Sequence, residues 1–205
     1  MIKIENVEVV GWEHAVRGMR NPMNSWNKSD SNFTTDDVRI GSNDKELMLK
    51  LSSAGPDHRK FMRMIIVYVD ITAPLYFWKE FDTYKVGTVA NSCSTMHKLG
   101  VEPFTLNDFS CEDLYAPEED LLPTINKLNL YRENFKNSCD ISDWRQMVQL
   151  LPSSYNQKRT VMLNYEVLAN IYKGRKSHKL KEWHTFCNWI KQLPISKLIT
   201  NETEE

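Results

Sequence analysis

The sequence predicts a mixed α/β fold in which helices dominate the second half of the chain. Ile2 to Val10 alternates apolar and polar side chains, which is typical of an edge or half-buried strand. Met64 to Ile71 is a β-branched and aromatic run with one aspartate, and it indicates a largely buried strand. After Pro123, two helical segments and a longer C-terminal one follow. The chain therefore combines early strands with late helices.

The N-terminal segment between the two strands predicts two helices separated by a polar loop. Ala15 to Arg20 predicts a short helix that stops near Pro22, because proline disfavours the helical conformation of the residue before it. Residues 24–43 are rich in Ser, Asn and Thr, and we expect a mobile loop there. Asp44 to Ser52 carries leucines among good helix formers and predicts a helix that ends before Gly55.

The central strand is expected to turn directly into a helix. Thr72 can accept a backbone N–H as the N-cap, and proline at position 74 suits a first helical turn. The helix is predicted from Leu75 to Lys85, with Trp78, Phe81 and Lys85 on one side at spacings of three and four. Gly87 then predicts a turn, and Thr88 to His97 a polar loop suited to ligand contacts.

The first part of the C-terminal half predicts a loop followed by two helices. Glu102 to Pro123 is expected to be a loop that ends in the acidic cluster 118–120. Acidic residues suit a helix N-terminus; a metal site is the alternative, although no converging ligands mark one. Helices are predicted at Thr124 to Lys136 and at Ser142 to Leu151, the second capped by Ser142.

The last third predicts a long helix, a packing helix and a tail. Ser154 and Gln157 match a capping box, so a helix is expected from there to a C-cap at Gly174. On this helix Asn164 and Arg175 would share one face. A helix from Ser177 to Gln192 is expected only to pack, and 193–205 is predicted to be a flexible tail.

Composition favours one domain, 1–205, in a protein with no charge-driven partner. The 205 residues carry 26 Lys+Arg and 27 Asp+Glu, a net charge of -1, which gives no case for nucleic-acid or membrane-surface binding. No run approaches the roughly 18 apolar residues of a membrane span, and the N-terminus lacks a signal-peptide core, so a cytoplasmic location is expected. The four cysteines lack paired spacing and are expected to be free thiols, with a metal or disulfide role as the alternative.

Two separated segments of this chain resemble the flavin-dependent thymidylate synthases, the ThyX family. Residues 73–88 match without a gap a strand that runs into Ala-Pro and an aromatic-rich helix, followed by Arg-His-Arg, a small residue and Ser. The triplet falls on Thr83, Tyr84 and Lys85, and Thr88 occupies the serine position. Counting back from Ala73-Pro74 places His58 on the family's flavin-contacting histidine. Without the resemblance, His58 would be a solvated turn residue.

The second segment follows Leu151-Pro152, where the family has Asn, Arg, Asn and Leu-Arg on a helix. Here Asn164, Glu166, Asn170 and Arg175 stand at the same spacing, with glutamate replacing the arginine. Taken alone, these would be exposed polar residues and a helix-end cation. In the family the asparagines and first arginine contact flavin, and the last arginine reaches the pyrimidine.

The resemblance implies a central sheet flanked by helices, a helical C-terminal half, and a homotetramer. It implies flavin contacts from six residues and nucleotide contacts from five. The expected FAD-binding residues are His58, Tyr84, Lys85, Thr88, Asn164 and Asn170. The expected nucleotide-binding residues are Glu80, Asn91, Ser92, Ser94 and Arg175, with Arg175 also catalytic. No metal ligand is expected.

The implied function is one-carbon transfer or reduction on a dUMP-like pyrimidine deoxynucleotide, with FAD as cofactor and methylenetetrahydrofolate and NADPH as co-substrates. Several charges of the family site are replaced by neutral residues, at Ser92, Met96 and Val148, and Glu80 stands where the family has a glutamine. Each lost charge-assisted phosphate contact is worth roughly 1.5–3 kcal/mol. The alternative is a catalytically silent relative that binds a nucleotide or a partner protein.

Overall fold

A computed structural model describes residues 2–34 and 37–201. Strands and helices alternate up to Lys98, and helices predominate from Pro117 onward. In chain order the elements are β1 (Lys3–Val10), α1 (Trp12–Arg20), β2 (Asn32–Phe33), β3 (Val38–Arg39), α2 (Ser42–Ser53), β4 (Ile66–Pro74), α3 (Leu75–Phe81), β5 (Thr88–Ser92), α4 (Thr95–Lys98), α5 (Pro117–Ser138), α6 (Ile141–Leu150), β6 (Asn156–Asn164), α7 (Tyr165–Arg175), α8 (Lys181–Ile190) and α9 (Lys197–Thr200).

Within the described residues, four strands form a sheet in the order β1-β4-β6-β5, and β2 pairs with β3 in an antiparallel hairpin. The chain divides into two compact units. Unit 1 contains 2–4, 70–83 and 91–160; unit 2 contains 5–34, 37–69, 84–90 and 161–201. Because each unit draws on separate stretches of sequence, neither corresponds to a continuous segment.

Unit 1 has an aromatic core beneath α3 and a second apolar cluster among α5, α6 and the preceding loop. Trp78 is 1% exposed, and its indole N–H donates to the Gln157 carbonyl at 2.9 Å. The Arg159 guanidinium lies 4.3 Å from the Trp78 ring centroid and pairs with Asp82 at 2.7 Å. The second cluster is built from Leu99, Phe104, Phe109, Leu121, Ile125, Leu128 and Met147.

Unit 2 packs α1, α2, α7, α9 and a 3-10 helix (Arg59–Met64) around buried aromatic side chains. Tyr165 is fully buried; its hydroxyl donates to the Pro194 carbonyl at 2.7 Å, and its ring meets Trp12 edge-on at 5.4 Å. Burial strongly raises the pKa of Tyr165. Arg20 and Asp44, both buried, form a 2.6 Å ion pair between α1 and α2.

Periodicity predicted several elements correctly. Strand β1, helices α1 and α2, and the acidic residues at a helix start are confirmed. The predicted helix start at Thr124 is wrong, because α5 already begins at Pro117 and continues through Pro123. The predicted packing stripe on α8 is also confirmed, since Trp183, Cys187 and Ile190 are buried. All four cysteines are free thiols.

The predicted cap at Thr72 is wrong, because β4 continues through Thr72 to Pro74. The first N–H groups of α3 need partners at this helix start. They find them in neighbouring backbone: Leu75 N–H donates to the Tyr155 carbonyl at 3.0 Å and Tyr76 N–H to the Ser153 carbonyl at 3.1 Å. The helix also ends at Phe81 rather than Lys85.

The predicted start of the long helix at Ser154 is also wrong, because Asn156–Asn164 is strand β6. Its buried residues include Gln157, Val161 and Leu163, which follow the two-residue period of a strand. Asn164 is the actual N-cap of α7, accepting the Val167 N–H at 3.0 Å. The C-cap is Lys176, so Gly174 lies inside the helix.

Two smaller predictions change in similar ways. The expected polar loop Thr88 to His97 contains β5 and α4, because β5 joins the edge of the sheet beside β6. The cap of α6 is Asp140 rather than Ser142: the Asp140 carboxylate accepts the Ser142 N–H at 2.8 Å. That bond lowers the pKa of Asp140.

The two segments predicted to be mobile contain local structure. In 24–43, the Asp30 carboxylate accepts the Asn43 N–H at 3.0 Å and the Asp44 N–H at 3.1 Å, at the start of α2. The predicted tail 193–205 includes α9, with Leu198 and Ile199 buried, while 202–205 lies outside the described residues. The mobility of both segments stays a prediction.

Candidate functional site

Residues 84–88 of unit 2 contact both ends of α7. The Tyr84 hydroxyl accepts a 3.0 Å hydrogen bond from Arg175 Nε, at the last residue of the helix. At the other end, Gly87 lies against Asn164, the N-cap. The two segments that resemble one family in sequence are therefore in direct contact, although 91 residues separate Tyr84 from Arg175.

Gly87 occupies a position that only glycine suits. Its φ is +80°, and a Cβ atom there would lie 2.9 Å from Asn164 Nδ2 and 3.2 Å from Val167 Cγ2. Both the backbone conformation and the limited space therefore disfavour a larger residue. The backbone at Gly87 therefore lies close to the start of α7.

Arg175 is held by aromatic rings. Its guanidinium carbon lies 4.9 Å from the Trp183 ring centroid and 5.7 Å from that of Tyr84. The two rings meet edge-on at 6.2 Å, and Trp183 is completely buried. Cation–π contact and the bond to Tyr84 together fix a half-buried cation at the C-terminal end of α7.

Glu166, where the family has arginine, is the centre of an ion triad. Glu166 Oε1 accepts from Arg59 Nε at 3.3 Å, and Oε2 accepts from Arg63 Nε. Burial alone would raise the pKa of Glu166, but the hydrogen bonds and charges of Arg63 and Arg59 outweigh it and lower that pKa. Glu166 is therefore ionised near neutral pH, and the bond to it raises the pKa of Arg63.

The triad continues to Asn170 through the second arginine. Arg59 Nη2 donates to Asn170 Oδ1 at 3.2 Å, one turn further along α7. Two guanidinium groups and one carboxylate leave a net charge of +1. The negative charge at position 166 is therefore more than balanced by arginines from the 3-10 helix Arg59–Met64.

The predicted flavin residues all belong to unit 2. His58 is exposed and directly precedes Arg59, Lys85 is exposed, and Asn170 is exposed on α7. Thr88 is half-buried, and its hydroxyl oxygen is buried without a hydrogen-bond partner among the described residues. The structure brings together Tyr84 with Arg175, and Asn170 with the triad.

The other predicted nucleotide residues belong to unit 1. Glu80 is half-buried on α3, and Asn91 and Ser92 are exposed on β5. Ser94 accepts the Met96 N–H at 3.2 Å at the start of α4.

Sequence reasoning missed Arg59, Arg63 and Trp183. The two arginines stand four apart directly after His58, a spacing that could have suggested a shared helical face. Trp183 was assigned only to packing, and nothing local in the sequence links it to Arg175.

The residues of unit 2 fit a phosphate-bearing cofactor. The arginines of the triad supply cations, the amide of Asn170 is held beside them, and the buried Thr88 hydroxyl has hydrogen-bonding capacity that no described residue uses. No group of three His, Cys, Asp or Glu residues that could hold a metal occurs in 2–34 or 37–201. Within those residues, no helix combines the length and apolar character that crossing a bilayer requires.

Comparison with known proteins supplies structural relatives only. No family model and no curated protein sequence matches the chain. Two structures of ThyX from Helicobacter pylori with FAD and dUMP superpose with TM-scores of 0.75 and 0.73, each at 18% identity, covering 98% and 97% of this chain and 98% of each relative. A UMP/dUMP methylase, PolB from Streptomyces cacaoi bound with 5-Br dUMP, gives a TM-score of 0.64 at 14% identity, covering 98% of this chain and 95% of the relative.

These likenesses extend over nearly the whole of each chain, while the sequences have diverged far. They confirm the fold class expected from the resemblance, with a central sheet flanked by helices and a largely helical C-terminal half. The chain therefore has the fold of the flavin-dependent thymidylate synthases.

Proposed function

We propose that this chain is a divergent ThyX-like flavoenzyme that transfers or reduces a one-carbon unit on a pyrimidine nucleotide. The observation that carries the proposal is the contact of residues 84–88 with both ends of α7. Two stretches that resemble one family in sequence come together in a fold shared with structures bound to FAD and dUMP. That this chain is a member of the ThyX family is part of the proposal.

Arg175 is the proposed catalytic residue. A fixed cation beside a pyrimidine carbonyl stabilises the negative charge that develops there during reaction, and such preorganised electrostatics is a large part of catalysis. Tyr84 and Trp183 would keep the guanidinium in place, so little reorganisation would be needed in the transition state. Arg175 would bind the nucleotide with the same group.

FAD is the proposed cofactor, held by His58, Tyr84, Lys85, Thr88, Asn164 and Asn170. Reduced flavin would supply a hydride, with NADPH as the reductant and methylenetetrahydrofolate as the one-carbon donor. Asn164 already caps α7 through its side-chain oxygen, so its amide nitrogen is the group left for a ligand. The Thr88 hydroxyl, buried without a partner among the described residues, is a second donor.

The proposed nucleotide is dUMP-like, with UMP as a second choice because one structural relative is a UMP/dUMP methylase. Glu80, Asn91, Ser92 and Ser94 are the proposed further contacts. These groups bring no positive charge, so the nucleotide phosphate must find its cations elsewhere. A homotetramer and a cytoplasmic location complete the proposal by analogy with the family.

The test of this function is nucleotide-dependent oxidation of NADPH by the purified protein with FAD and methylenetetrahydrofolate. We expect turnover with dUMP or UMP and a product with an added carbon, detected by mass spectrometry. Purine nucleotides serve as the control. Oxidation at the same rate without any pyrimidine nucleotide would contradict the proposal.

The second candidate is a catalytically silent relative that binds a nucleotide or protein. The observation that favours it is Glu166, whose carboxylate stands where the family carries an arginine, together with the single cation left in residues 83–85. A colourless protein that binds dUMP or a partner chain without any turnover would support this second function.

A further inference from the structure

We propose that Arg59 and Arg63, oriented by Glu166, form a binding site for a diphosphate group. The inference deepens the proposed function, because it names the residues that would replace the missing family cations around a dinucleotide cofactor. It rests on the side chains of this chain, and it can be tested without flavin or turnover.

Glu166 orients the two guanidinium groups in the same way. Both use Nε to reach the same carboxylate, one on each oxygen, and Arg59 also uses Nη2 for Asn170. Arg59 Nη1 and both Nη groups of Arg63 donate to no described residue. Glu166 therefore fixes both arginines through their inner nitrogens and leaves outer N–H donors for another acceptor.

The triad carries an excess of positive charge, and its arginines are more exposed than its carboxylate. One arginine would neutralise Glu166, so the second is surplus. The carboxylate side chain is 9% exposed, while those of Arg59 and Arg63 are 20% and 58% exposed. The negative charge is covered and the positive groups face outward, which is the arrangement that attracts an anion from solvent.

Two neighbouring guanidinium groups favour a ligand with more than one phosphate. Arginine forks match phosphate oxygens in shape and charge better than lysine does. Two forks separated by one carboxylate can take two adjacent phosphates, whereas a single phosphate would engage one fork well and leave the other exposed. A diphosphate therefore fits better than a monophosphate.

The competing explanation is a purely structural triad that ties the 3-10 helix to α7. Removing one arginine would then weaken folding and leave anion binding unchanged. The two explanations differ in which measurement changes, and this makes them separable.

The experiment is calorimetric titration of the protein with inorganic diphosphate, ADP and inorganic phosphate at low salt. We expect diphosphate and ADP to bind at least about tenfold more tightly than phosphate, and the affinity to fall as salt rises. In Arg63→Gln and Arg59→Gln we expect about a tenfold or larger loss of diphosphate affinity, the size expected when a charge-assisted bond is lost. Arg63→Lys should recover part of it.

Arg145→Gln is the matched control, since Arg145 is an exposed arginine of α6 in unit 1. It should bind diphosphate as the wild type does. A thermal melt of each variant separates lost binding from lost folding. The inference is overturned if the wild type binds no diphosphate, if phosphate binds equally well, or if both arginine variants bind diphosphate normally.

The outcome is distinguishable from that of the proposed function. Diphosphate binding that depends on Arg59 and Arg63 in a protein without turnover would uphold the inference and contradict the function. Turnover with FAD in variants that lack either arginine, at wild-type FAD affinity, would uphold the proposed function and contradict the inference.

Discussion

Arg175 donates a hydrogen bond to the hydroxyl of Tyr84, and its guanidinium also lies over the buried ring of Trp183. The resemblance aligns Tyr84 with a family histidine and Arg175 with a family arginine, and these two residues are in contact. The hydrogen bond and the two ring contacts restrict the orientation of the Arg175 guanidinium. This arrangement suits a group that must meet a substrate in one geometry.

Arg175→Ala should abolish turnover and leave the fold intact, because it removes the only proposed source of carbonyl polarisation. Tyr84→Phe should lower kcat/KM by about 10- to 100-fold, since it removes one charge-assisted hydrogen bond worth about 1.5–3 kcal/mol and keeps the ring. Steady-state kinetics with dUMP, beside circular dichroism, measures both effects. Unchanged turnover in Arg175→Ala would remove this residue from the mechanism.

Gly87→Ala should destabilise the protein by about 1–3 kcal/mol, through strain at positive φ and overlap with Asn164 and Val167. The matched control is Gly55→Ala, where φ is +107° but no atom lies within 4 Å of the new Cβ. Backbone strain from positive φ affects both variants, whereas steric overlap of the new Cβ with neighbouring atoms occurs only at Gly87. Urea unfolding should therefore show a larger loss at Gly87, and equal losses would mean that the close approach to Asn164 costs nothing.

Asn164→Ala should cost about 0.5–2 kcal/mol of stability, because α7 loses its N-cap. Asn164→Asp should restore the cap, since a carboxylate also accepts the Val167 N–H, but it replaces the amide nitrogen proposed to contact FAD. Chemical denaturation follows the first effect and FAD titration the second. Wild-type FAD affinity in Asn164→Asp would limit this residue to its capping role.

Stability should decrease in acid partly through Asp44. Burial opposes ionisation of Asp44, but hydrogen bonds from Ser29, Ser31 and Arg20 and the charge of Arg20 lower its pKa. A carboxyl whose pKa is lower when folded stabilises the protein above the unfolded pKa of about 3.9 and loses that contribution as pH falls through the folded value.

The variant that isolates this effect is Asp44→Asn, which leaves the buried Arg20 without its counter-charge. We expect a loss of about 3–5 kcal/mol at pH 7. The difference between wild type and variant should shrink as the pH falls below about 4, because the unfolded wild-type chain then binds a proton at Asp44 that the folded carboxylate resists. Urea unfolding at several pH values measures both free energies, and a difference that stays constant down to pH 2 would exclude Asp44 as the titrating group.

The sequence predicted the elements whose side chains obey one clear period. Strand β1 and helix α2 are local patterns, and the acidic residues at the start of α5 act through the helix dipole alone. Strand β6 was missed because Ser154 and Gln157 imitate a capping box, while the sheet that recruits 156–164 is assembled from distant segments. Tertiary pairing overrode a local signal there.

The resemblance assigned residues 84–88 and α7 to one expected site, and the structure brings these segments into contact. The binding roles of their residues stay a prediction, and the charges around Glu166 were missed. Glu166 and Arg59 are 107 residues apart in the sequence, and no local sequence pattern predicts that they pair. From the sequence alone, glutamate at position 166 indicates the loss of a positive charge. Only the structure shows that Arg59 and Arg63 compensate for it.

The central claim is that this fold still holds a flavin. The measurement is the visible absorbance spectrum of the purified protein before and after incubation with FAD and desalting, with His58→Ala beside the wild type. The account predicts a retained flavin band in the wild type and a weaker one in His58→Ala, and a wild-type protein that stays colourless after desalting would contradict it.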